Sequence, residues 1–195
     1  VGKWNPRITR LDELDGWAIT YTRPMVSLVL TKDFQAFERI SPILPQEDKD
    51  AALFPRRING KWVLIHRPIV VGGQAGAHIW ASDSVDLKNW SNHRILIPAR
   101  AGARWDTSKV GLSAQPLETP DGWLILYSGV RLTAAGAICR LGLALLDLEN
   151  PFNVLRKSDA WIFGPRESYE KEGDAGTLND LLEYIKPCPD VKQKI

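Results

Sequence analysis

Three times along this chain a tight-turn dipeptide runs into a tryptophan and a short apolar strand. The copies read Asp15-Gly16-Trp17-Ala18-Ile19-Thr20-Tyr21, Asn59-Gly60-Lys61-Trp62-Val63-Leu64-Ile65-His66 and Asp121-Gly122-Trp123-Leu124-Ile125-Leu126-Tyr127. Asp-Gly and Asn-Gly pairs beside apolar runs signal β-hairpins, because the favoured two-residue turn needs positive φ at its centre. Upstream of each turn lies a Pro-containing strand, at residues 5–11, 54–58 and 114–118. Downstream comes a third strand, and then an aspartate opening an aromatic-rich fourth element at residues 33–38, 86–90 and 147–152. Each copy therefore reads as a four-stranded antiparallel meander.

Trp17, Trp62 and Trp123 are separated by 45 and 61 residues, close to the length of a propeller blade, in which four-stranded sheets stand radially around a channel. A helical solenoid does not fit, since no stretch before about residue 177 keeps an apolar 3.6-residue period between caps. The expected role of the three tryptophans is packing between neighbouring sheets, which a large aromatic ring does without any ligand. Propellers close with about four to eight blades, whereas this chain shows three clear units and a partial fourth. The missing blades are expected from flanking sequence, from another chain segment, or from a homo-oligomeric partner that covers the unpaired strand edges.

Composition narrows the functional classes. A length of 195 residues, 44% of them hydrophobic, suffices for a core that buries roughly 70% of the unfolded surface without a metal or disulfide. Lys and Arg number 25 against 23 Asp and Glu, a net charge of +2 with both signs interspersed. Such a chain has no single-sign field to grip a nucleic-acid backbone. The longest apolar runs, such as 141–146, fall far short of the roughly 20 residues of a spanning helix, so neither nucleic acid nor membrane is an expected partner. The first residues lack the layout of a signal peptide, which favours the cytoplasm. Cys139 and Cys188, with three scattered histidines, make neither a disulfide framework nor a zinc cluster, and both cysteines read as inert thiols.

Several strings then occur in a telling order: Asn5-Pro6-Arg7-Ile8-Thr9, Asp48-Lys49-Asp50-Ala51-Ala52-Leu53-Phe54-Pro55, His66-Arg67-Pro68, Lys109-Val110-Gly111, Tyr127-Ser128-Gly129-Val130 and Tyr169-Glu170-Lys171-Glu172-Gly173. Together they resemble glycoside hydrolase family 130 over residues 4 to about 174. The resemblance implies an all-β fold of the five-bladed β-propeller type, with only three to four blades in this chain. Residues 1–174 would form the partial propeller and 175–195 a divergent segment containing a short helix capped by Thr177 or Asn179. It also implies an activity: inverting phosphorolysis of β-mannosides to mannose 1-phosphate, with a β-mannoside oligosaccharide as substrate and inorganic phosphate as co-substrate. No metal or organic cofactor is implied.

The resemblance assigns residues as well. Asn5 stands at the family's catalytic proton-donor position, an aspartate in the family's Glu-Asp-Pro-Arg motif. An amide has no labile proton to donate, and general-acid assistance is typically worth about 10²–10⁴-fold, so little turnover is expected. Arg56, Arg67 and Lys109 resemble the basic residues that hold phosphate, a role that suits charge-assisted donors and the planar fork of arginine. Ser128 replaces a histidine among the phosphate ligands and supplies one hydroxyl without charge. Arg7, Asp50 and Lys109 carry over as substrate-binding, with turn formation as the competing role of Asp50. His66 is expected to be buried and satisfied by backbone. The alternative function is a sugar-binding or assembly propeller that kept the scaffold and lost the acid. Five-bladed arabinose- or fructose-polymer glycosidases fit less well, because they need carboxylates that are not in place here.

Overall fold

The structure, a computed structural model, describes residues 4–68 and 78–165. The described residues are all-β apart from one 3₁₀ turn at Asp12–Leu14. The first sheet is the meander β1 (Trp4–Leu11), β2 (Gly16–Thr22), β3 (Met25–Thr31) and β4 (Glu38–Gln46). The second is β5 (Asp48–Leu53), β6 (Trp62–Pro68), β7 (Ile79–Ser84) and β8 (Ser91–Ile97). The third contains β9 (Lys109–Leu112), β10 (Leu117–Thr119), β11 (Gly122–Thr133), β12 (Gly136–Leu146) and β13 (Val154–Lys157), with β9 and β10 both paired to β11. All pairings are antiparallel.

The three meanders foreseen from the repeat are present, and the first strand of the first copy lies where the sequence suggests, but the first strands of the other two copies and all three fourth strands lie elsewhere. Proline is the cause at the first strands, since it cannot donate to a sheet ladder and survives there only at edges, ends and bulges. Pro6 sits in β1 beside a register shift between Trp4 and Arg7. β5 ends at Leu53, before Pro55, so residues 54–58 are connection rather than strand. Residues 113–116, with Pro116, interrupt the first strand of the third sheet into β9 and β10. The aspartate-led strings are turns: Asp33 accepts from the Gln35 and Ala36 amides, Asp86 from Lys88 and Asn89, and Asp147 from Glu149 and Asn150. This Asx geometry competes with strand pairing, and the fourth strands begin just after it.

The second sheet is covered on both faces. Leu53, Trp62 and Leu64 pack with Leu11, Val26, Leu28 and Leu44 of the first sheet. Phe54, Val63 and Ile65, on alternate positions, pack with Val110, Trp123, Ile125 and Tyr127 of the third. Period-two alternation sends successive side chains to opposite faces, so one β6 sequence serves two cores. Trp62 and Trp123 are fully buried, and Trp123 meets Phe54 edge to face at 4.9 Å. Trp17 departs from the packing expectation: it is half-buried, tilted against exposed Phe34 at 4.8 Å, with the Arg10 guanidinium over its ring. Gly129 has a packing reason of its own, for the Trp105 indole lies where a β-carbon would project.

Cys139 is disulfide-bonded, which corrects its reading as an inert thiol. The helix expected in 175–195 lies outside the described residues. No helix among the described residues is long and apolar enough to cross a membrane.

Candidate functional site

β1, β5 and β9 are edge strands of their own sheets, and they meet. An edge strand carries unpaired backbone groups that must find partners when buried. Here the first sheet supplies them: Thr20 Oγ1 donates to the Ala51 carbonyl at 2.6 Å and Thr9 Oγ1 to that of Leu53 at 3.2 Å. Arg7 ties the first sheet to the third, donating from Nη2 to the Leu112 carbonyl at 2.5 Å and from Nη1 to the Asn5 carbonyl at 3.3 Å.

At this meeting two bulges aim polar side chains inward. Asn5 (φ 50°) lies at the β1 register shift, and Asp50 (φ 54°) at a second shift, between Lys49 and Ala52. Both have left-handed backbone, which Asn and Asp tolerate better than other side chains with a β-carbon. A bulge re-aims a side chain at the cost of a ladder bond. As a result Asn5 Nδ2 donates to Asp50 Oδ1 at 2.9 Å, while Arg67 Nε donates to Asp50 Oδ2 at 2.6 Å. Asp50 and Arg67 are each 1% exposed.

Burial alone pushes the Asp50 carboxyl up, but the charges of Arg67, Arg7 and Lys49 outweigh it and hold the group below its ordinary value. Lys109, also buried, goes the other way. Desolvation, reinforced by Arg67 and Lys49 and opposed by Asp50, brings its ammonium down to about 7. Gly111 and Ser128 complete the cluster. A β-carbon at Gly111 would lie 3.2 Å from Asp50 Oδ2 and 3.4 Å from both Arg67 Nε and Ser128 Oγ. Ser128 Oγ donates to the Gly111 carbonyl at 3.1 Å.

One feature of the cluster is unbalanced. Arg67 Nη1 and Nη2 are buried and have no hydrogen-bond partner among the described residues. A buried donor left unmade costs about 1–3 kcal/mol, and more when charged, and the described residues offer this fork no acceptor.

The structure therefore brings together Asn5, Arg7, Asp50, Arg67, Lys109 and Ser128. Arg56 stands apart from them, at the turn end of the sheets, where its guanidinium pairs with Glu118 at 2.7 Å and lies over the Trp123 ring. Asp50 is not merely a turn former, since one of its oxygens accepts from Asn5 of the first sheet and the other from Arg67 on the neighbouring strand of its own sheet. His66 is buried as expected but is satisfied by side chains rather than backbone: Asp48 at 2.6 Å on Nδ1 and Ser82 at 2.7 Å on Nε2. Sequence reasoning missed Asp48, Ser82 and Gly111, whose surroundings no local string reveals. A hollow of about 630 Å³ under Trp17 and Phe37 lies at the opposite end of β1 and is lined by neither arginine nor histidine. Among the described residues no group of three or more His, Cys, Asp and Glu is arranged to hold a metal.

A sequence model of glycoside hydrolase family 130, described as beta-1,4-mannooligosaccharide phosphorylase, matches residues 1–178. The chain belongs to that family. Among family 130 relatives, it is 39% identical over 152 residues to beta-1,2-mannobiose phosphorylase of Listeria innocua, covering 78% of this chain and 41% of the relative. Against 1,2-beta-oligomannan phosphorylase of a Thermoanaerobacter species it is 33% identical over 180 residues, covering 88% and 56%. Against beta-1,4-mannooligosaccharide phosphorylase of Ruminococcus albus it is 32% identical over 160 residues, covering 82% and 45%. The chain thus spans about half the length of the curated relatives it matches. Its fold superposes on the Listeria innocua beta-1,2-mannobiose phosphorylase, solved as a beta-1,2-mannobiose complex, with a TM-score of 0.79 and 34% identity, covering 88% of this chain and 48% of that one.

Proposed function

We propose that residues 1–174 are part of a five-bladed β-propeller of the β-mannoside phosphorylase type, carrying its phosphate site and part of its mannoside site. The carrying observation is the buried, unpartnered fork of Arg67. A phosphate dianion suits it: two parallel N–H groups can meet two of its oxygens, with the Lys109 ammonium as a further donor, while the Ser128 hydroxyl beside them is engaged with the Gly111 carbonyl. Arg56, held by Glu118 at the far end of the sheets, has no part in this set. In this reading the mannosyl unit sits beside Asp50 and Arg7, and the relatives of this chain are named for β-1,2- and β-1,4-linked mannosides.

In such a reaction a phosphate oxygen forms a bond to the anomeric carbon from one face. The bond to the leaving oxygen breaks on the other, its electron pair taking a proton from an acid, and the anomeric centre inverts. Asn5 supplies a neutral amide at the acid's position, and that amide is already committed to Asp50. The site therefore holds its reactants while lacking the proton source. This contact favours the second reading, a sugar-binding propeller without turnover.

The test is calorimetry with inorganic phosphate and β-mannobiose, alongside an assay for mannose 1-phosphate. Phosphate binding that disappears in Arg67→Met supports the proposal. Binding unchanged by that substitution, or no binding by the native chain, overturns it. Mannoside binding without product selects the second reading.

A further inference from the structure

Beneath Arg67 runs a chain of short contacts that the proposed reaction does not use. Asp48 Oδ1 accepts the backbone N–H of Arg67 at 3.1 Å and of Lys49 at 2.8 Å, while Oδ2 meets His66 Nδ1 at 2.6 Å. His66 Nε2 meets Ser82 Oγ at 2.7 Å, Ser82 Oγ meets His93 Nδ1 at 2.7 Å, and His93 Nε2 meets the Trp90 carbonyl at 3.1 Å. Asp48, His66 and Ser82 are buried, whereas His93 is exposed. The array links solvent on β8 to the backbone that carries the Arg67 fork.

Counting hydrogens decides its charge. The four contacts from Asp48 to Trp90 need four hydrogens, one in each. Two neutral imidazoles and one hydroxyl supply three. The fourth cannot come from the Trp90 carbonyl, and Asp48 Oδ1 is already filled by two backbone N–H groups. A fourth hydrogen carried on one of the two rings completes the set. With His93 neutral, Nε2–H donates to Trp90, Ser82 donates to Nδ1 of His93, and His66 donates from both nitrogens. With His93 charged, it donates to Ser82, Ser82 donates to Nε2 of His66, and neutral His66 donates to Asp48. Shifting two protons through Ser82 converts one arrangement into the other, and both keep all four contacts.

We infer that Asp48, His66, Ser82 and His93 form a positioning array, complete only when it holds one extra proton, that fixes the Arg67 backbone and so aims the Arg67 fork at its anion. The positioning of an anion rests on the phosphate reading above, but the proton count does not. The other charged groups on the strands packed around the array are Lys49 and Asp50 on β5, Arg67 on β6, Asp83 on β7, Arg94 on β8 and Lys109 on β9. Asp83 is paired with Lys61 at 3.1 Å, Asp50 with Arg67, and Arg94 lies over the Phe152 ring. Among the described residues Asp48 is the carboxylate that touches a ring nitrogen of the array. Without the extra proton three hydrogens are left for four contacts, and one of the four links opens. The solvent-exposed His93 end, with the longest contact, is the one to give way.

The experiment uses the full chain. Nitrogen-15 spectra of the histidine rings, without ligand, are expected to show three ring protons shared by His66 and His93 while the array is intact, with Nδ1 of His66 protonated. Two singly protonated rings in the intact fold overturn the array. Inorganic phosphate is then titrated by calorimetry across pH in a Lys109→Arg background, which removes that ammonium's own titration. Ser82→Ala is expected to weaken phosphate binding roughly tenfold and flatten its pH dependence, as expected for a broken buried hydrogen-bond chain, and Ser82→Thr to restore both. His93→Ala, at the exposed end where folding is not at risk, is expected to act in the same direction. Unchanged affinity and pH dependence in Ser82→Ala and His93→Ala overturn the positioning role. If the native chain binds no phosphate, the anion reading of Arg67 falls and the ring-proton count alone decides the array.

Discussion

Asn5 and Asp50, 45 positions apart in sequence, meet side chain to side chain at 2.9 Å, each projecting from a bulged edge strand with left-handed backbone. Their contact joins two sheets at the foot of the Arg67 fork, so chemistry at position 5 is coupled to the ion pair. A carboxyl in place of the amide would face Asp50 across a like-charge gap, and such pairs hold a shared proton. Because Arg67 keeps Asp50 ionised, that proton would reside on the group at position 5. Asn5→Asp is therefore expected to raise release of mannose 1-phosphate from β-mannosides by about 10²-fold or more. A variant that binds phosphate and mannoside as the native chain does, with no gain in product, would remove position 5 from the chemistry.

Lys109 is expected to link pH to phosphate binding and to stability with opposite signs. Its ammonium titrates near 7 in the fold against 10.5 when unperturbed. Above about 7 the folded chain has released a proton that the unfolded chain keeps up to 10.5, so this group's contribution to stability rises with pH across that window. Phosphate affinity, losing a cation, falls over the same range. Urea denaturation and phosphate calorimetry in parallel would show the two trends diverging, and Lys109→Arg should abolish both.

Gly111 leaves the floor of the cluster bare. A methyl group there comes within 3.2–3.4 Å of Asp50, Arg67 and Ser128, so Gly111→Ala is expected to displace the ion pair at an overpacking cost of about 1–3 kcal/mol. The chain should remain folded by circular dichroism while phosphate affinity drops. Full phosphate affinity in this variant would show that the cluster yields to the added group.

The repeated tryptophans should not be equivalent. Trp123, fully buried against Phe54, is expected to cost about 3–5 kcal/mol on substitution by alanine. Trp17, half-buried beneath Arg10, should cost about 1 kcal/mol or less, a surface-like effect. Equal losses in denaturant titrations would mean that Trp17 has a packing partner not among the described residues.

Much of this protein was legible from residues alone, because the signals are local. Asp-Gly and Asn-Gly turns, apolar runs and three recurrences are enough to specify three antiparallel meanders, and the ordered strings carried the family. What local pattern could not supply is where strands stop and which edges meet. Pro55 and Pro116 displaced the first strands, and Asx turns at Asp33, Asp86 and Asp147 displaced the fourth. Bulges at Asn5 and Asp50 arise from how one sheet seats against another, so no string announces them. Arg56 and Arg67 look alike in sequence, yet one pairs with Glu118 at the surface and the other is buried with its fork open. Only tertiary packing separates the two, since the burial of Arg67 depends on β9, more than forty residues away in sequence, and on how the bulged β5 seats against the first sheet.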